Sequence, residues 1–112
     1  MEKNVKVSIL LDLYGKLLTE KQFKLLDNYY NNDLSLSEIA ENEGITRQAV
    51  RDNLKKGENN LLDYELKLGL MQKSLKQEEI INNIIFDIDN LQNNNEAQKL
   101  LKKIKTKLRK LI

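Results

Sequence analysis

Cysteine, histidine, proline and tryptophan are all missing from this chain of 112 residues, and the first two absences each remove a class of chemistry. Without cysteine there is no disulfide and no thiol chemistry, and without histidine the commonest general base and metal ligand is gone. Conventional catalysis is therefore not expected, nor is a metal or other cofactor. No run of about 18 apolar residues is present to span a bilayer. No carboxylate cluster has the spacing of metal ligands: Asp87 and Asp89 are two apart on a helical pattern and face different ways, and Glu78 and Glu79 are adjacent. A glycine-rich phosphate loop is also lacking. The opening MEKNVKVSILLDLYGK does not read as a secretory signal, because charged residues interrupt its apolar stretch and no small-residue cleavage site follows. The expected location is cytoplasmic.

What is present has a globular balance, 40% apolar and 32% charged, in a length suited to one domain or a small domain plus an extension. Apolar residues recur at helical spacing almost throughout. Val7, Leu10, Leu11, Tyr14, Leu17 and Leu18 predict a first helix ending before Thr19. Thr19 with Gln22 has the pattern of a capping box, and Phe23, Leu25, Leu26, Tyr29 and Tyr30 predict a second helix that ends near Asn31. Further on, Ile80, Ile81, Ile84, Ile85, Ile88 and Leu91 continue the period until three asparagines at 93 to 95 break it. A last helix from about Asn94 to Leu111 is expected, with Glu96 at its third position capped from Asn93. The chain reads as all-α with about six helices. The expected parts are a helix-turn-helix domain over 1–57, a helical extension and dimerisation region over 58–92, and a basic amphipathic helix over 93–112.

The segment SLSEIAENEGITRQAVRDNLKK at 35–56 has the composition that a helix-turn-helix needs. Ser35 and Glu38 form a capping box at the start of one helix. Ala40 is small enough for close helix approach, and Gly44 is free to take the left-handed conformation that ends that helix. Thr46 then caps a second helix. Its Ala49, Val50 and Leu54 share one face, while Arg47, Gln48, Arg51, Asp52, Lys55 and Lys56 point elsewhere. Arginine and glutamine on an outer face suit a DNA major groove, so Arg47, Gln48, Arg51, Lys55 and Lys56 are the candidate nucleic-acid-binding residues. The plainer alternative is a tight helical hairpin inside a bundle.

Beyond the motif the pattern runs on through Gly57. Leu54, Leu61, Tyr64, Leu68, Met71 and Leu75 make a heptad seam in which Gly57 fills the missing position. That glycine either bends the helix or admits a close neighbour. Leu62, Leu66 and Leu70 add a second stripe, so the helix presents apolar residues on two sides. A homodimer is expected, with Leu61, Tyr64, Leu68, Met71 and Leu75 at its interface.

Charge is distributed unevenly. From Lys99 onward the chain carries Lys99, Lys102, Lys103, Lys105, Lys107, Arg109 and Lys110 with no acid, so an acidic body precedes a basic tail. These residues are candidate contacts to a nucleic-acid backbone or to RNA. A lysine face that is merely solvated over a docked helix is the alternative, and an anionic lipid surface fits less well because aromatic anchors are lacking.

Residues 17–56, LLTEKQFKLLDNYYNNDLSLSEIAENEGITRQAVRDNLKK, resemble region four of bacterial sigma factors, the domain that reads the promoter's upstream element. Over most of residues 4 to 90 the chain resembles more closely the YlxM-like family of small cytoplasmic bacterial proteins. Arg47 to Val50, Asp52, Asn53, Lys55, Tyr64, Glu65, Lys67 and Leu68 carry that likeness. The resemblance implies a sigma-region-four-like helix-turn-helix with a helical extension and a regulatory role in the signal recognition particle pathway. It leaves two possible kinds of partner: DNA, or the particle's RNA or protein through an adaptor role. No catalytic residue comes with it. Glu43 departs from the sigma pattern where a leucine packs under the turn, Asn53 departs where an apolar residue is usual, and Asp52 places a carboxylate on the outward face.

Overall fold

A computed structural model describes residues 1–91 and 95–112 of the chain. Six α-helices follow one another: α1 (Lys3–Tyr14), α2 (Glu20–Tyr30), α3 (Leu36–Glu43), α4 (Arg47–Leu68), α5 (Leu70–Asp89) and α6 (Asn95–Arg109), with a 3-10 turn (Gly15–Leu17) after α1. No strand occurs among the described residues. The all-α expectation therefore holds. The contacts divide the chain into two compact units, Met1–Met71 and Gln72–Ile112.

In the first unit the helix boundaries are set by local chemistry. The Ser35 hydroxyl accepts from Glu38 N–H at 3.1 Å, and the Glu38 carboxylate accepts from Ser35 N–H at 3.1 Å, a complete capping box. The bond from Ser35 N–H to the carboxylate, followed by the Ser35 side chain beside it, favours the ionised carboxyl and holds Glu38 below its ordinary range. Thr46 accepts from Ala49 N–H at 3.0 Å to start α4. At Thr19 only half of the expected box forms. Gln22 N–H donates to the Thr19 hydroxyl at 3.1 Å, but the Gln22 side chain accepts from Asn60 Nδ2 at 3.4 Å on α4.

The core of this unit draws from all four of its helices. Val7, Leu10, Leu11 and Tyr14 from α1, Leu25 and Leu26 from α2, Ile39 and Ala40 from α3, and Val50, Leu54 and Leu61 from α4 form one buried cluster. Each fully buried leucine or isoleucine contributes roughly 1.5–3 kcal/mol of transfer free energy. Helix α4 crosses Gly57 unbroken. A β-carbon there would lie 2.8 Å from Leu26 Cδ1, so the glycine admits α2 rather than bending α4.

The first compact unit runs on to Met71, past the expected division at 57, because the second half of α4 carries Leu61 and Tyr64 into the same core. The helix also stops at Leu68, since Gly69 adopts the left-handed conformation (φ 63°) and ends the seam. Tyr14 fixes that break. Its hydroxyl donates to Glu65 Oε1 at 2.7 Å and accepts from Leu70 N–H at 3.0 Å, while Met71 N–H donates to the same carboxylate oxygen at 2.9 Å. Burial, followed by the Glu65 bond, holds the Tyr14 phenol above its usual ionisation range.

The expected dimer seam consequently turns inward for most of its length. Leu61 is 0% exposed, and Tyr64 and Met71 pack half-buried against the core, with the Tyr64 ring stacked on Tyr14 at 6.0 Å. Leu68 and Leu75 alone of the five are open to solvent. A heptad seam marks a stripe that needs covering, and here the covering comes from the chain's own first unit. The second stripe, Leu62, Leu66 and Leu70, stays exposed.

In the second unit α5 buries Ile81 and Ile85, and Asp89 of α5 pairs with Lys105 of α6. Ile80, Ile84 and Phe86 of α5 and Leu100 of α6 remain exposed. The cap expected from Asn93 lies outside the described residues.

Candidate nucleic-acid interface

The first half of α4 presents the predicted cations on a fixed frame. Gly44, in the left-handed conformation (φ 67°), donates to the Ala40 and Glu41 carbonyls, and Ile45 N–H donates to Ala40 O at 3.1 Å, so the turn between α3 and α4 is closed by backbone bonds. Val50 and Leu54 root the helix in the core while Arg47, Gln48, Arg51, Lys55 and Lys56 are exposed. Residues 47, 51 and 55 lie one turn apart on a single side. Among the described residues, Arg47, Arg51, Lys55 and Lys56 have no hydrogen-bond or ion-pair partner in the fold. Arg47, Gln48, Arg51 and Leu36 line a shallow groove of about 300 Å³ between α3 and α4.

The three departures from the sigma pattern each have a local account. Asp52 accepts from Gln48 Nε2 at 2.9 Å, an exposed pair within one helix turn. A base contact by Gln48 would exchange that bond, which contributes only about 0.2–0.5 kcal/mol. Asn53 donates to the Ala49 carbonyl at 2.9 Å, so its amide is satisfied within α4 where an apolar neighbour would pack. Glu43 pairs with Lys24 of α2 at 3.1 Å. An ion pair between α2 and the end of α3 thus stands where the sigma pattern has a leucine.

In the basic segment Lys99, Lys102, Lys103, Lys107, Arg109 and Lys110 are exposed, and four of them line a groove of about 410 Å³ with Thr106. Lys105 differs from the expectation for the tail. It is half-buried and held by Asp89, which leaves it less free for a phosphate.

A feature that the sequence did not announce lies beside the cationic side of α4. A cleft of about 550 Å³ is lined by residues of all four helices of the first unit, among them Lys3, Tyr29, Leu36, Arg51, Lys55 and Asn59. Lys3, Tyr29 and Asn59 carry no local motif and meet only in the fold. Among the described residues no three His, Cys, Asp or Glu side chains gather as metal ligands, and no helix is long and apolar enough to cross a membrane.

Two capped helices joined through a left-handed glycine, the second displaying unpaired cations over a buried apolar side, define a helix-turn-helix protein. The sequence matches over residues 1–104 the family described as "Putative helix-turn-helix protein, YlxM / p13 like", and the chain belongs to that family. Among its relatives, a UPF0122 protein of Clostridium kluyveri is 50% identical over 105 residues, covering 94% of each chain. One from Acetivibrio thermocellus is 42% identical over 115 residues, covering 100% of this chain and 98% of its own. Another, from Halalkalibacterium halodurans, is 41% identical over 106 residues and covers 95% and 97% respectively.

Proposed function

We propose that this protein binds DNA through the outer side of α4 and acts as a cytoplasmic regulator in the signal recognition particle pathway, without catalysis. The observation that carries the DNA reading is the set of four exposed cations, Arg47, Arg51, Lys55 and Lys56, held without partners among the described residues on a helix rooted in the core. Arg47, Gln48 and Arg51 approach base edges, and Lys55 and Lys56 approach phosphates. The pathway assignment comes from the family resemblance. Gel shift at graded salt tests the DNA reading. Arg51→Ala weakens specific binding by roughly 1–3 kcal/mol, whereas Lys56→Ala weakens all sequences alike and lowers the salt slope by about one. No duplex affinity even at low salt would remove the proposal.

The exposed lysines of α6 favour a second reading, an adaptor that grips the particle's RNA through residues 99 to 110 or its protein through exposed apolar helix faces. Deleting residues 99–112 separates the two. Loss of RNA binding with Arg51→Ala silent supports the adaptor, and the reverse supports the DNA regulator.

A further inference from the structure

We infer that the cleft lined by Tyr29, Arg51 and Lys55 is a binding site for a nucleoside phosphate, taken either as a free nucleotide or as one unit of a single strand. Its volume of about 550 Å³ falls within the range of small-molecule sites and admits one base with its sugar phosphate. The cleft shares Arg51 and Lys55 with the outer side of α4, and Tyr29 and Asn59 are the residues that set it apart from the groove contact.

Three properties of the lining point to this ligand class. The first is charge. Lys3, Arg51 and Lys55 bring three cations against one acid, Glu58, and Glu58 already accepts from the Tyr30 hydroxyl and pairs with Lys3 at 3.6 Å. Arg51 and Lys55 therefore stand without a counter-charge at the cleft, and a phosphate monoester supplies one to two negative charges. The second is a stacking surface. Tyr29 is 36% exposed, and its ring already lies on that of Tyr30 with centroids 5.0 Å apart and planes 15° from parallel. A flat heterocycle extends such a stack, as bases do on exposed aromatic side chains. The third is a mixed floor: Leu36, Leu54 and Leu62 offer apolar contact, and the Asn59 amide offers both a donor and an acceptor to a base edge. A purely anionic ligand would leave the tyrosine and leucines unused, and a purely apolar one would leave Arg51 and Lys55 unanswered.

Calorimetric titration of the full chain tests the site with four probes: adenosine 5′-monophosphate, ribose 5-phosphate, inorganic phosphate and a single-stranded adenine tetranucleotide. Saturable binding of the monophosphate at sub-millimolar concentration is expected, with ribose 5-phosphate and inorganic phosphate at least tenfold weaker. Tyr29→Ala lowers the affinity about tenfold, equivalent to ~1.4 kcal/mol, while Tyr29→Phe keeps it. Arg51→Ala lowers it as well. Circular dichroism on each variant confirms that the helices persist. A tetranucleotide that binds more tightly than the monophosphate, with the same dependence on Tyr29, identifies a strand unit; equal or weaker binding identifies a free nucleotide. Absence of saturable binding by both adenine probes overturns the inference, and so does sugar phosphate binding as well as nucleotide or Tyr29→Ala binding like the wild type. Tyr29 lies on α2, so failure at the cleft leaves duplex binding by α4 intact, and the two results are separable.

Discussion

Tyr30 is half-buried with its hydroxyl on Glu58, and burial, followed by that bond to a carboxylate, pushes its ionisation well above the ordinary value of 10.0. Tyr14 is raised from the same ordinary value by the same two causes in the same order. An unfolded chain releases phenol protons at about pH 10, whereas this fold retains them. The stability they supply is complete below about pH 10 and is lost progressively as pH rises from there towards the folded values. Urea midpoints are therefore expected to stay level up to about pH 9.5 and to fall at higher pH. Tyr30→Phe should make that fall shallower, and a variant that declines as steeply as the wild type would contradict the assignment.

The meeting of α2 and α4 depends on one missing side chain. A β-carbon at Gly57 would sit 2.8 Å from Leu26 Cδ1, and Leu26 is itself fully buried. Alanine gains about 1 kcal/mol of helix propensity over glycine, but overpacking of a closed core costs about 1–3 kcal/mol. Gly57→Ala is thus expected to lower stability by up to about 2 kcal/mol in chemical denaturation. In a Leu26→Ala background the space is open, and the same change should raise stability instead. Equal effects in both backgrounds would show that the close approach does not matter. This pair also shows what was legible beforehand. Ser35, Glu38, Gly44 and Thr46 were readable because each acts on backbone groups within three or four residues. Gly57 and Gly69 look alike in the sequence, each a single glycine in a helical pattern. Their opposite outcomes are decided at long range, by Leu26 pressing on one and by Tyr14 and Glu65 tying down the turn after the other. The cleft was illegible for the same reason. Tyr29, Asn59 and Lys3 come from three helices, and no spacing rule joins them.

At the level of the whole molecule, the chain divides its work between a unit with a closed core and one in which two isoleucines are buried and much apolar surface is not. The heptad seam, read as an interface between copies, is mostly spent inside the first unit, and we propose that a second copy packs on the exposed Leu66 and Leu70 of the second stripe. Leu66, 86% exposed, is the test position because it is the most open residue of that stripe. Light scattering at micromolar concentration is expected to give a dimer mass for the wild type and a monomer mass for Leu66→Glu, with helicity unchanged. A monomer mass for the wild type would exclude this use of the stripe.

Helix α4 runs 22 residues without a break, which at 1.5 Å per residue makes a rod of roughly 33 Å. One end carries Arg47 and Arg51, and the other is anchored through Leu61 and Glu65. For a DNA-binding role the consequence is entropic. Ordering a flexible recognition segment on docking costs about 1–2 kcal/mol per backbone residue, and here that ordering is already complete when the protein folds. What remains to be ordered at the contact is only the side chains, so the encounter draws on a surface that is rigid before its partner arrives.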